Sequence, residues 1–156
     1  MARVLVHSLL DRLIDDDPDR AVEQAEPEDV ALARYKLGLR RDLEGLLNSK
    51  RPLLAATRQD DELGRTILGF GLADISTEDF SAIGARDRIR RMVAECIRDH
   101  EPRLSAVEVE VDGAPTSKGI RFRITAVLTL TRSRETVIYD ASVRPSDRAI
   151  AVELSG

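Results

Sequence analysis

Residues 107–112 read VEVEVD, and residues 120–130 read IRFRITAVLTL. In both stretches an apolar residue alternates with a polar one, which is typical of a β-strand with one buried and one solvated face. Residues 133–135 then predict a turn into a third strand over 136–143, and a fourth strand is expected at 149–153. Consecutive strands joined by short connections predict an antiparallel meander of three to four strands in the C-terminal part of the chain.

The first two strands also predict a register. If the chain folds back with Val111 opposite Ile120 and residues 112–119 as the loop, opposite charges face each other across the pair. The expected pairs on the outer face are Glu110 with Arg121 and Glu108 with Arg123. Each such pair contributes about 0.2–1 kcal/mol, so the charge pattern and the register agree.

Two long helices are predicted before the strands. Apolar residues recur at steps of three and four over residues 29–48 and again over 78–100, which gives each helix one buried face. Asp29 is the expected N-cap of the first helix, and Pro102 is expected to end the second. The segment 49–79 is expected to be irregular, and its glycine-interrupted apolar part is predicted to be a buried loop with a turn of helix or a short extended piece. The predicted fold class is α+β, with the two main helices packed on one face of the antiparallel meander.

The N-terminal region differs from the rest of the chain in charge. The first 29 residues carry a net charge of −6, whereas the other 127 residues carry +2. Residues 8–14 predict a short amphipathic helix capped by Ser8, and residues 15–27, which are acidic and contain two prolines, predict an extended linker. The helix is shorter than the about 12–15 residues that give marginal stability alone, so it is expected to dock on a partner or on its own domain. The predicted division is a docking helix with an acidic linker over 1–28 and an α+β domain over 29–156.

Several function classes are disfavoured by composition. The single cysteine excludes an internal disulfide framework and a multi-cysteine zinc site, and the two histidines, His7 and His100, do not form a pair three or four residues apart. Because no glycine-rich nucleotide motif is present, no cofactor is expected. No apolar run approaches the about 20 residues that span a bilayer and no secretory signal is evident, so a cytosolic protein without membrane insertion is expected.

Arginine richness raises the question of nucleic acid. Arginine outnumbers lysine 21 to 3, but glutamates are expected to oppose two of the strand arginines, and only five residues are aromatic. A nucleic-acid surface needs a basic stripe with aromatic side chains for stacking. A salt-bridged surface or a protein interface is therefore favoured, and no nucleic-acid partner is expected.

Glu101 is the only candidate catalytic residue in the sequence. A glycoside hydrolase needs two acids across a cleft, one of which stays protonated as the general acid. Here Glu101 precedes Pro102 and Arg103, and a neighbouring arginine favours the ionised carboxylate, which is the wrong form for a general acid. The sequence therefore favours Glu101 and Arg103 as a partly buried pair that fixes the corner between helix and strand, and a peptidoglycan-hydrolysing enzyme that uses Glu101 is the alternative.

Four blocks of sequence occur together in a recognisable order. They are SLLDRL at 8–13, RRDLEGLLN at 40–48, ILGFGLAD at 67–74 and EPRL at 101–104. In order and spacing this combination resembles TssE, the baseplate subunit family of the bacterial type VI secretion system. That family is related to the phage baseplate wedge proteins of the gene 25-like group, which also carry a lysozyme label. The third block departs from the family pattern at Phe70 and Ala73, positions that affect packing.

The resemblance implies a structural component and no catalysis. It implies that the protein joins the other baseplate wedge subunits, connects the baseplate to the contractile sheath and initiates sheath assembly, in the cytoplasm at a membrane-docked baseplate. It assigns Glu101, Pro102 and Arg103 to a structural motif. The amphipathic helix suggests partner docking through Ser8, Leu9, Leu10, Asp11, Arg12 and Leu13. An exposed meander edge is a template for an added strand, so sheath strands are the expected partners there, and an isolated subunit is expected to be able to pair with a second copy.

Overall fold

The computed structural model describes residues 5, 8–14, 27–52, 65–75, 82–116, 119–130, 133–144 and 146–155. In chain order the helices are α1 (Leu9–Leu13), α2 (Glu28–Asn48), a short 3-10 helix (Ile67–Gly69) and α3 (Ile83–His100). The strands that follow are β1 (Leu104–Thr116), β2 (Gly119–Thr129), β3 (Arg134–Val143) and β4 (Ile150–Ser155). All pairings between strands are antiparallel in the order β1-β2-β3-β4. The predicted α+β class and the C-terminal meander are confirmed.

The core lies between one face of the sheet and the two long helices. Helix α3 packs on β1 and α2 packs on β4, so each helix lies beside one edge of the sheet. The alternation of apolar residues along the strands places one side chain in two in the core, and the fully buried ones include Phe122, Ile124 and Tyr139. Ile89 of α3 is fully buried against them. The opposite face of the sheet carries the charged residues and remains open to solvent.

The predicted register of the first hairpin is wrong by two residues. Val111 lies opposite Phe122, so Glu110 faces Arg123 and not Arg121. The physical reason is that β1 does not end at residue 112 but continues to Thr116, with an irregularity between Asp112 and Thr116. Because the side-chain period of a strand is two, this shift leaves every residue on its predicted face. In consequence Glu108 faces Thr125, and Arg123 forms its ion pair with Asp140 of β3.

The predicted N-cap of α2 is also wrong. Helix α2 begins at Glu28 after Pro27, and no side chain in the described part of the chain caps it. Asp29 lies inside the first turn together with Glu28, where the helix dipole favours negative charge. The capping of α1 by Ser8 is confirmed, since its side chain accepts a hydrogen bond from the Asp11 amide.

The segment between the long helices contributes a short packed piece. Residues 49–52 and 65–75 are described, and a parallel bridge joins Lys50 to Leu72 through two backbone hydrogen bonds of 2.8 and 2.9 Å. Leu72 is buried as expected of the loop, but Ile67 is 81% exposed. The predicted start of the second helix near residue 78 and the linker over 15–26 lie outside the described residues.

Candidate functional site

A buried ion network lies at the corner where α3 passes into β1. The helix ends at His100, and Glu101 is only 6% exposed, the one buried charged residue among those that the structure describes. Its Oε1 accepts hydrogen bonds from the backbone N–H of Arg103 at 3.2 Å and from Arg103 Nε at 2.7 Å. Its Oε2 accepts from Arg103 Nη2 at 2.6 Å. Both carboxylate oxygens are therefore used by the residue two positions further along the chain.

Asp42 of α2 completes the network. Arg103 Nη2 also donates to Asp42 Oδ2 at 2.7 Å, so one guanidinium joins α2, the end of α3 and the start of β1. Burial by itself lowers the pKa of Arg103, but the hydrogen bonds that it donates to the Glu101 and Asp42 carboxylates, together with their negative charge, more than reverse this and raise the pKa above its ordinary value. The guanidinium also lies 5.9 Å from the centre of the Tyr35 ring, a cation–π distance.

Asp42 is not among the residues predicted from the sequence, although a signal for it exists. Asp42 falls at steps of three and four from Leu39 and Leu46, which are both buried on α2. A charged residue on the core stripe of a helix needs a buried partner of opposite charge. That signal does not name the partner, because Arg103 is 61 residues away in sequence.

The arrangement suits structural fixing and not acid catalysis. Pro102 and Arg103 follow Glu101 at the helix end as the sequence analysis expected, and the predicted Glu101–Arg103 pair is present. A general acid must present a proton to its substrate, whereas the Glu101 carboxylate faces its arginine with both oxygens. Within the described ranges no cluster of His, Cys, Asp and Glu could hold a metal ion. Cys96 is buried on α3, and burial raises the pKa of its thiol to about 12, so the thiol is unsuited to nucleophilic chemistry.

A second candidate surface is α1, which the structure places against α2. Ser8 Oγ donates to Asp11 Oδ2 at 2.8 Å, and Asp11 forms an ion pair with Arg41. The Asp11 carboxylate also packs on Gly38, where an added Cβ would lie 2.6 Å from Oδ2. The polar side of α1 therefore holds it on the body of its own protein.

The apolar residues of α1 face away from that contact. Leu9 is 70% and Leu13 73% exposed, and Leu10 and Ile14 are exposed as well. Of the six residues predicted to dock on a partner, Ser8 and Asp11 therefore fasten the helix, while Leu9, Leu10, Arg12 and Leu13 lie on its open side.

The two edges of the sheet form the third candidate surface. Strand β4 is bordered by polar side chains of α2, and strand β1 by arginines of α3. Together with the buried network, these features define a class of protein: an α+β scaffold whose polar residues fix the packing of its elements. None of the helices in the described ranges is both long and apolar enough to cross a membrane.

Comparison with known families places the chain more closely. Residues 33–133 match the family described as baseplate wedge protein gp25, and because the match covers more than half of the 156 residues, the chain belongs to that family. The match begins within α2 and runs through α3, β1 and β2, so it includes the whole buried network. No curated protein matched the sequence. The resemblance to the baseplate wedge group is confirmed, and the family is a structural one.

Proposed function

We propose that this protein is a structural wedge component of the baseplate of a bacterial type VI secretion system, which connects the baseplate to the contractile sheath and initiates sheath assembly. The observation that carries the proposal is the family match over residues 33–133. The N-terminal SLLDRL block, which precedes the matched region, supports the secretion-system branch of the family. The protein would act at a membrane-docked baseplate on its cytoplasmic side.

The proposal assigns partner docking to α1. The Ser8–Asp11–Arg41 contacts hold the helix in one orientation, and they leave Leu9, Leu10 and Leu13 open. A row of exposed leucines on an ordered helix is typical of a surface that inserts into an apolar groove of a partner. The other wedge subunits are the proposed partners.

The proposal includes the absence of catalysis. Glu101, Pro102 and Arg103 are assigned to a structural motif, in which the ionised carboxylate fixes the arginine that holds α2 to the helix–strand corner. The rival function is hydrolysis of peptidoglycan with Glu101 as the acid. It predicts turnover of purified peptidoglycan by the isolated protein, which the engagement of both Glu101 oxygens argues against.

The docking proposal is tested by co-purification from the native host. A Leu9→Glu/Leu13→Glu variant places two charges on the open side of α1 and leaves Ser8 and Asp11 untouched. We expect it to remain folded and to lose co-purification with the other wedge subunits. The matched control is Val30→Glu, which changes another exposed apolar residue and should retain the partners. Full recovery of the wedge with the α1 variant would show that α1 is not the docking element.

A further inference from the structure

The sheet has two edge strands, and they differ in how their outward backbone groups are used. An edge strand presents a row of N–H and C=O groups that can bond to an additional strand. Successive residues of a strand direct these groups alternately to its two sides. Whether an edge is available for a partner therefore depends on which outward groups already have a bond inside the protein.

Strand β4 is closed by side chains of α2. Asn48 Nδ2 donates to the carbonyl oxygen of Ile150 at 2.7 Å, and the Ile150 N–H donates to Asn48 Oδ1 at 2.9 Å. Two positions further on, Arg40 Nη1 donates to the Val152 carbonyl at 3.0 Å, and the Val152 N–H donates to Glu44 Oε2 at 3.2 Å. Arg40 and Glu44 are also paired with each other at 3.0 Å. Of the three outward positions of β4, which are 150, 152 and 154, the first two thus have donor and acceptor already bonded, as they would be to a neighbouring strand.

On strand β1 only outward carbonyl groups are bonded inside the protein. Arg98 Nη2 donates to the Val107 carbonyl at 2.6 Å, and Arg90 Nη1 donates to the Val109 carbonyl at 3.3 Å. These bonds identify the outward side of the strand, and alternation in the unbroken register from Glu108 to Asp112 places the groups of Val111 there too. The outward N–H groups of Val109 and Val111 have no acceptor within the described part of the chain. Because arginine side chains are long and Arg98 is exposed, they can move aside for a strand.

The solvent-facing side of β1 carries one sign of charge. Glu108, Glu110 and Asp112 are all exposed and occupy alternate positions. Across the ladder Asp112 faces Arg121, and Glu110 faces Arg123, which already donates to Asp140 at 3.1 Å. Glu108 faces Thr125 and has no arginine directly opposite. A strand added outside β1 would place its own side chains directly beside these three carboxylates. Opposite charges across adjacent strands are favourable and like charges are not.

We propose that β1 is the acceptor edge, and that its occupant is an extended segment of a partner protein with basic residues at alternate positions facing Glu108, Glu110 and Asp112. Strand β4 is not the acceptor, because α2 occupies the outward groups of Ile150 and Val152. The inference rests on the proposed function only in taking the partner to be a component of the baseplate or sheath. The choice of edge and the basic pattern follow from the hydrogen bonds and charges of this chain.

The first experiment measures amide hydrogen exchange on the full chain, with NMR as the detection method. In the free protein the Ile150 and Val152 amides should exchange slowly and the Val109 and Val111 amides quickly. The probe is a seven-residue peptide with lysine and valine in alternation, and the control peptide has glutamate in place of lysine. At a peptide concentration about ten times the Kd, exchange at Val109 and Val111 should slow by about tenfold, because only the free protein exchanges. The glutamate peptide should leave both positions unchanged.

Three outcomes would overturn the inference. They are protection that arises at Ile150 and Val152 only, equal protection by both peptides, and no protection by the lysine peptide at saturating concentration. A Glu108→Lys/Asp112→Lys variant should lose the effect of the lysine peptide. The matched control, Glu153→Lys on β4, should retain it.

Failure of the edge inference is distinguishable from failure of the proposed function. In the native host, Glu108→Lys/Asp112→Lys should still co-purify with the wedge subunits but should reduce sheath assembly, whereas Glu153→Lys should support both. Normal sheaths with the β1 variant would reject the edge and leave the wedge assignment standing. If the wild-type protein does not co-purify with the wedge subunits, the proposed function is rejected, whereas the peptide result still holds.

Discussion

Replacing Glu101 by glutamine tests whether the buried network is structural. The substitution keeps the shape of the side chain and removes its charge. Arginine has only hydrogen-bond donors, whereas the glutamine amide has one acceptor oxygen and one donor NH2 group. Glu101 now accepts from Arg103 on both oxygens, at 2.7 Å on Oε1 and 2.6 Å on Oε2. In Glu101→Gln one of these contacts therefore becomes donor against donor.

The expected loss of stability follows from the geometry. A hydrogen bond to a charged group contributes about 1.5–3 kcal/mol, and removal of one partner from a fully buried ion pair costs about 3–5 kcal/mol. Here the loss is reduced because the Arg103 side chain is 20% exposed and Asp42 still accepts from it. We expect the free energy of unfolding to fall by about 2–3 kcal/mol. For a chain of this size that corresponds to a fall in Tm of about 4–12 °C.

The assay is urea unfolding followed by far-UV circular dichroism, on the wild type, Glu101→Gln, Asp42→Asn and the double variant. The two carboxylates share one arginine, so their effects should not add. The free energy of unfolding of the double variant should fall by about 0.5–3 kcal/mol more than the sum of the two single losses, because only then does Arg103 have no carboxylate partner. Asp87→Asn is the control: it removes a carboxylate from an exposed pair on α3 and should leave the midpoint unchanged.

A second measurement on the same proteins separates structure from catalysis. Purified peptidoglycan is incubated with the wild type and with Glu101→Gln, and soluble fragments are measured. We expect no turnover by either protein. A structural role for Glu101 is refuted by two results together. The free energy of unfolding of Glu101→Gln lies within about 0.5 kcal/mol of the wild-type value, and the wild type shows a turnover that Glu101→Gln lacks.

Three further changes test other parts of the structure. Gly38→Ala would place a Cβ 2.6 Å from the Asp11 carboxylate, so this carboxylate must rotate away and its pair with Arg41 should weaken. Faster amide exchange over residues 9–13 would show this, whereas the urea midpoint should not fall, because alanine is more favourable than glycine in a helix interior by about 1 kcal/mol. Gly71 has φ +104° and an added Cβ would lie 2.3 Å from the Ser49 carbonyl oxygen, so Gly71→Ala should cost more than about 1 kcal/mol, measured by urea unfolding. Burial raises the pKa of Cys96 to about 12 against an ordinary value of 9.0, so the folded state retains a proton that the unfolded chain loses. The contribution of the protonated Cys96 thiol to stability is complete below about pH 9 and declines as pH rises towards 12. Between about pH 8 and pH 11 the urea midpoint of Cys96→Ala should therefore decline less than that of the wild type.

The sequence predicted those features of the fold that depend on periodicity. Alternation over 107–112 and 120–130 was sufficient for the strands and their faces, because one face of each strand is buried in a single core. The register could not be obtained in the same way. A shift of two residues preserves every face, and the extension of β1 depends on the pairing of Thr116 with Gly119, where the sequence predicts a loop over 112–119.

The polar contacts of the candidate surfaces were predicted only where they are local. Glu101 and Arg103 are two residues apart, and the Ser8 side chain caps α1 by accepting from the amide three residues on, so short-range patterns indicated both contacts. The bond from Asn48 to Ile150 spans 102 residues. No local pattern indicates such a contact, since it depends on where α2 comes to lie along β4 once the core has packed.

Helix α2 connects the buried network to the choice of sheet edge. Arg40, Glu44 and Asn48 follow one another at four-residue steps and meet β4, while Asp42 of the same helix meets Arg103. Apolar packing alone tolerates small axial shifts of a helix, because leucines can replace one another in a core. A carboxylate bonded to a buried guanidinium does not tolerate such a shift, since a displaced partner leaves a buried charge unpaired. A one-residue displacement of α2, about 1.5 Å along its axis, would also move Asn48 away from the Ile150 amide and open the β4 edge. The Glu101–Arg103–Asp42 network therefore does more than join three elements: by fixing α2 along the sheet it keeps β4 closed, and it leaves β1 as the edge at which a partner strand can add.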